Sequence, residues 1–120
     1  MRVTALVPTF NRSGFLKESL LSLLRQTRVP DEIIVIDDGS TDDTAQVVSS
    51  FGSQARYIRK MNGGKSSALN IGLNQATGDL IYILDDDDSA SDDAMEPRAE
   101  VLENRSDYGF VYGGFDVLSV

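Results

Sequence analysis

Ile33-Ile34-Val35-Ile36 is an unbroken β-branched run with no polar residue at alternate positions. A strand with one wet face alternates apolar and polar residues. A run that is apolar throughout therefore belongs to a strand covered on both faces, as in a parallel sheet layered by helices. Three other segments suit the same sheet: residues 3–7, closed by Pro8; a weaker run over residues 56–59; and Leu80-Ile81-Tyr82-Ile83-Leu84. Helical patterns separate them. Leu16, Leu20, Leu23 and Leu24 recur at helical spacing across residues 15–26, and Pro30 enforces the exit. Thr44, Val47, Val48 and Phe51 form a second stripe, opened by Ser40-Thr41-Asp42-Asp43 in the manner of a capping box and closed by Gly52. A third helix follows the glycine turn Asn62-Gly63-Gly64, presents Leu69, Gly72, Leu73 and Ala76 inward, and stops at Thr77-Gly78. Strands joined by single helices predict an α/β fold with a doubly wound, mostly parallel sheet and right-handed crossovers.

Beyond residue 88 the pattern predicts a cap at Asp92 or Asp93, a short helix over residues 97–104 beginning near Pro97, and a strand over residues 108–112. Gly113-Gly114 then leads into the apolar tail that ends Val117-Leu118-Ser119-Val120. The whole, residues 1–120, reads as a single domain. A domain stopping on that tail has little to cover it, so the expectation is a truncated part of a larger one.

The ends of the strands carry the chemistry. The first runs into Pro8-Thr9-Phe10-Asn11-Arg12, the second into Asp37-Asp38-Gly39-Ser40, and the fourth into Asp85-Asp86-Asp87-Asp88. In a parallel sheet these ends share one rim, the rim on which open α/β sheets bind ligands. Asn, Asp, Gly and Ser are ordinary turn residues, which accounts for each cluster alone but poorly for their joint acidity. Two unit charges about 4 Å apart at an effective dielectric near 20 cost on the order of 4 kcal/mol before screening. A divalent cation would relieve that repulsion, and carboxylate oxygens suit hard ions such as Mg²⁺, Mn²⁺ or Ca²⁺.

Composition removes several classes of function. Asp and Glu number 19 against 11 for Lys and Arg, a formal charge of -8, with no basic stripe to neutralise a phosphate backbone, so nucleic acid is a poor partner. Cysteine and histidine are both absent, which excludes disulfides, thiolate or imidazole zinc sites and Ser-His-Asp triads. No apolar run approaches the roughly 20 residues of a transmembrane helix, and the first strand begins too early to leave room for a signal peptide. The expectation is a soluble, cytoplasmic chain, any membrane association lying in missing regions. Gly64-Lys65-Ser66 resembles the end of a P-loop, but Arg59 stands where its first glycine belongs. Lys65 at a helix start suits either a phosphate or base carbonyl, or a plain exposed turn lysine.

Four motifs, in order, resemble the nucleotide-binding half of the family 2 inverting glycosyltransferases, which have the GT-A fold: V-P-T-F-N-R over residues 7–12, I-D-D-G-S-T-D-D-T over 36–44, N-G-G-K-S-S-A-L-N-I-G-L over 62–73 and A-T-G-D-L-I-Y-I-L-D-D-D-D over 76–88. The resemblance implies a site for a nucleotide-diphospho-sugar, most simply a UDP-sugar, and transfer to an acceptor hydroxyl on a glycan, lipid or protein. It implies that Pro8 and Thr9 line the base, that Asp38 bonds the uracil or its counterpart, and that Lys65 lies near the base. The Asp-x-Asp signature falls on Asp85, near the ribose, and Asp87, on the Mn²⁺ or Mg²⁺ that bridges the diphosphate. Asp85 is a second candidate for the ion, and four consecutive Asp leave the register open by one, with Asp86 as the alternative. The family supplies the general base and the acceptor pocket from its second half, so no base is named; Asp92, Asp93 and Asp116 are not assigned that role. Two other readings stand beside this one. One is a non-catalytic nucleotide-sugar or cation-binding module. The other is a phosphoacceptor receiver domain, disfavoured because receivers place paired acids after the first strand and a lysine at a late strand end.

Overall fold

The computed structural model describes residues 1–114, so the expected tail from Phe115 onward, with Asp116, lies outside the described residues. Four strands, β1 (Val3–Thr9), β2 (Glu32–Asp37), β3 (Arg56–Arg59) and β4 (Leu80–Ile83), form one sheet in the order β3-β2-β1-β4. Every pairing is parallel, with Val7 opposite Val35, Ile36 opposite Ile58 and Leu6 opposite Ile83. The helices are α1 (Ser13–Leu24), α2 (Thr44–Ser49), α3 (Lys65–Gln75) and α4 (Met95–Asn104), with a short 3₁₀ turn at Gly52–Gln54.

Alternate residues of the central strands feed two cores. Val3, Ala5, Val7, Ile33 and Val35 meet Leu16, Leu20 and Leu23 of α1, Val48 of α2, and Met95 and Ala99 of α4. Leu6, Ile34 and Ile36 meet Ala68 of α3 on the opposite face. Burial on both faces is what a run without polar alternation requires. Gly72 lets α3 lie close, since a Cβ there would stand 2.8 Å from Ile36 Cδ1 and 3.1 Å from Leu6 Cδ2.

Several local expectations are corrected. β1 continues through Pro8 to Thr9. Even-numbered residues of β1 bond toward β4, as Leu84 N does to Leu6 O, and β4 has ended by then, so the missing Pro8 N–H breaks no ladder bond. The capping box does not form. Asp43 occupies the N-cap of α2 without a side-chain bond, and the Thr44 N–H bonds Asp42 Oδ1 at 3.1 Å while Ser40 Oγ serves Asn11. Asp92 and Asp93 do not cap α4; Gln26 Oε1 accepts the Met95 N–H at 2.9 Å instead. Leu73 of α3 points outward and is 48% exposed, because the helix seats on Ala68 and Gly72. Among the described residues β4 is an edge strand, and Ile81 and Ile83 are partly open to solvent. Residues 108–112 form no strand: Tyr108, Phe110 and Tyr112 are exposed, and strand propensity without a ladder partner does not make a strand.

Candidate nucleotide and cation site

β2 and β3 follow on one side of β1 and β4 lies on the other, so the strand order reverses between β1 and β4. At such a switch point the loops diverge and leave a crevice. Here the crevice is a cleft of about 360 Å³ lined by Pro8, Thr9, Phe10, Arg12, Asp38, Lys65, Ala68, Asp85, Asp86 and Asp87. All seven residues singled out from the sequence therefore share one cleft. A larger hollow of about 560 Å³ lies between β4, α4 and residues 109–113. Its lining is mainly apolar and it has no convergent carboxylates, so the polar cleft is the candidate site.

The loops after β1 and β2 are stitched to each other. Asn11 adopts a φ of 51°, a left-handed conformation that Asn tolerates, its N–H bonds Ser40 Oγ at 2.8 Å, and its Oδ1 accepts the Thr41 N–H at 2.8 Å. Asp37, fully buried, accepts the Ser40 N–H at 2.9 Å and the Tyr57 hydroxyl, and Arg59 lies 3.5 Å away. Asp38 organises the glycine turn. Its Oδ1 accepts Lys60 Nζ at 2.5 Å and the Gly63 N–H at 2.9 Å; its Oδ2 accepts the Gly64 N–H at 2.8 Å and Asn62 Nδ2 at 3.3 Å. The Lys60 ammonium foremost, with the Gly63 and Gly64 amides, holds the Asp38 carboxyl below its ordinary range despite burial.

The four consecutive acids have different surroundings. Asp86 turns inward, is 5% exposed, and accepts Thr9 Oγ1 at 2.9 Å, Arg12 Nη1 at 3.2 Å and the Phe10 N–H at 3.4 Å. Asp85, Asp87 and Asp88 turn outward, each with a carboxylate oxygen within 4.8 Å of the others. Burial and then the neighbouring Asp87 and Asp85 raise the Asp88 carboxyl above its ordinary range. Lys65 pairs with Asp85, and Arg12 reaches Asp87 at 3.1 Å. Three convergent hard-oxygen donors fit a divalent cation and offer nothing to a soft one.

Arg12, Phe10, Lys60 and Asp88 join the site without having been assigned roles from sequence. Phe10, Arg12 and Asp88 lie inside the first and fourth motifs, so the signal was present without a direction. For Lys60, one residue beyond β3, the sequence carries no comparable signal.

The Glycosyl transferase family 2 model matches residues 4–118. An uncharacterized glycosyltransferase of Rickettsia conorii is 34% identical over 119 residues, 97% of this chain and 20% of that relative's length. The crystal structure of S. aureus TarS 1-349 in complex with UDP-GlcNAc superposes with a TM-score of 0.79 and 30% identity, over 87% of this chain and 32% of that one. The mannosyltransferase PcManGT of Pyrobaculum calidifontis, in complex with GDP-Man and Mn²⁺, gives a TM-score of 0.77 and 30% identity over 84% of this chain and 32% of that one. The chain thus spans about a fifth of the length of the curated relative and a third of each solved neighbour.

Proposed function

Because this chain belongs to glycosyl transferase family 2, we propose that the cleft at the β1/β4 switch point is the donor site of a metal-dependent, inverting glycosyltransferase. The donor is a nucleotide-diphospho-sugar and the acceptor a hydroxyl. The observation that carries the reading is the outward trio Asp85, Asp87 and Asp88, with oxygens within 4.8 Å, on the rim of a cleft that also holds Pro8, Thr9 and Asp38. An acidic rim repels a diphosphate unless a cation lies between them. The bound nucleotide sugars and Mn²⁺ of the neighbours support the same ligand chemistry.

In this reading Pro8 and Thr9 form the wall against the base. Asp38 meets the base from the other side. Its four lone-pair positions are already taken, so an incoming base N–H replaces Asn62 Nδ2, the longest of the four contacts at 3.3 Å. Lys65 lies near the base, where it pairs with Asp85. Asp87, with Asp85 and Asp88, holds Mn²⁺ or Mg²⁺. Asp86 contributes from beneath, its carboxylate fixing Thr9 and Arg12. A bound divalent ion supplies Lewis-acid stabilisation of the charge developing on the departing diphosphate. The base that takes the acceptor's proton is assigned to a part of the protein beyond these residues, as is the acceptor pocket. No helix among the described residues is long and apolar enough to cross a membrane, and a cytoplasmic location is part of the proposal.

Calorimetry with UDP and GDP, with and without Mn²⁺, tests the reading. Metal-dependent binding that is lost in Asp85→Ala and Asp87→Ala is expected. Binding indifferent to metal and to both substitutions would leave a non-catalytic nucleotide module as the better description. Family membership displaces the receiver reading.

A further inference from the structure

α1 carries a polar ladder inside its apolar face. Ser19 is 1% exposed, and its hydroxyl faces the main-chain carbonyls of Asp85 at 3.4 Å, Asp86 at 3.0 Å and Asp88. One helical turn on, buried Ser22 accepts the Ala90 N–H at 3.0 Å. Just past the helix end, buried Gln26 donates to the Ser91 carbonyl at 2.5 Å and accepts the Met95 N–H at 2.9 Å. Residues 19, 22 and 26 lie on one face of a helical path, and between them they take the acidic loop from its first carboxylate to the start of α4. A serine or glutamine buried among leucines is costly unless its bonds are made, and here every bond between these side chains and another element goes to that loop.

We infer that Ser19 and Gln26 are positioning residues that set the curl of residues 85–95, and with it the spacing of Asp85, Asp87 and Asp88 that determines affinity for a divalent cation. The inference rests on the donor-site reading above. The Ser19 hydroxyl has a single proton facing three convergent carbonyls, so the loop is gathered around it rather than hung from one bond. The Asp88 N–H to Asp85 carbonyl turn, at 3.1 Å, closes over it. Three like charges spread apart when nothing holds their backbone. Removing the hydroxyl lets the trio open without touching any carboxylate.

The test is Mn²⁺ binding to the chain, read as the loss of the free-ion signal in electron paramagnetic resonance, with no nucleotide and no turnover. Supporting residues one bond removed from a ligand characteristically change metal affinity by about 10- to 100-fold when lost. Ser19→Ala and Gln26→Glu, the latter keeping an acceptor for Met95 while losing the donor to Ser91, are each expected to weaken Mn²⁺ binding by about tenfold. Leu23→Ala, which loosens the same helix without any loop bond, is expected to leave it within about twofold of the parent, well below that supporting-residue effect. Equal Mn²⁺ affinity in folded Ser19→Ala and Gln26→Glu overturns the inference while sparing the donor-site reading. Equal weakening in Leu23→Ala overturns it as well, by showing general loosening of the fold. If the parent chain fails to bind Mn²⁺, the donor-site reading falls first and the inference with it.

Discussion

The Thr9 hydroxyl donates to the buried Asp86 carboxylate across 2.9 Å, tying the carboxyl end of β1 to the loop that follows β4. These residues are 77 positions apart in the chain, and their bond closes the floor of the cleft. It also separates one acid of the run from its three neighbours.

Asp86 and Asp87 should therefore fail in opposite ways. Asp86→Ala strips Thr9 and Arg12 of their buried acceptor and should cost about 1–3 kcal/mol of stability, the penalty for unpartnered buried polar groups. Asp87→Ala relieves repulsion within the trio and gives up a half-exposed ion pair to Arg12, so stability should change little. Mn²⁺ affinity should fall at least about tenfold in Asp87→Ala. Urea denaturation and metal titration of both variants check the split. Equal destabilisation by the two substitutions contradicts it.

Metal removal should act through the same trio. Chelation by EDTA is expected to abolish nucleoside-diphosphate binding while leaving the fold intact, because the core of leucine, isoleucine and valine does not involve residues 85–88 apart from packing of Leu84 beneath them. Circular dichroism beside calorimetry gives the answer.

Acid stability should depend on Lys60. The Asp38 pKa is depressed in the fold, chiefly by Lys60, so its contribution is present above the unfolded value, about 3.9 for Asp, and is lost as pH falls through the lower folded value. Lys60→Met removes the main depressing partner and should move the acid-unfolding midpoint to higher pH. Glu103, held at about 2 by Arg28 and then the N-terminal ammonium, should be lost over the window from its ordinary 4.5 downward. Asp88 has the opposite sign. Its raised pKa means a cost that appears as pH rises through the folded value and vanishes below the unfolded one. A pH titration of ellipticity in parent and Lys60→Met chains measures the shift.

Gly39 should be intolerant for two reasons. Its φ of +89° lies in the left-handed region, where a side chain costs about 1–2 kcal/mol. A Cβ there would also meet backbone, Asn62 N at 3.1 Å and Lys60 O at 3.3 Å. Gly39→Ala is expected to lower stability by about that amount and to weaken nucleotide binding by displacing the Asn62 turn. By contrast, Gly14→Ala, with no atom within 4 Å, should be nearly silent. Thermal melts of the pair decide it.

The family came from the resemblance of four motifs; what the sequence by itself determined was the layered parallel sheet and the rim that holds the polar cleft. Those rest on local rules: Ile33 to Ile36 cannot be half-wet, Leu16, Leu20 and Leu23 must share a face, and strands joined by single helices run parallel. It could not orient the four acids, because Asp85, Asp86, Asp87 and Asp88 are chemically identical and differ in their partners elsewhere in the chain, Ser19, Arg12 and Thr9 at 66 to 77 residues and Lys65 at 20. The ladder of Ser19, Ser22 and Gln26 was hidden for the same reason, since a polar residue in a leucine stripe reads as a flaw until its long-range bond is seen. Leu73 and residues 108–112 were misplaced because burial is decided by what packs opposite, which only the assembled sheet supplies. Periodicity determines which elements form; tertiary contact decides which of several equal side chains faces the cleft.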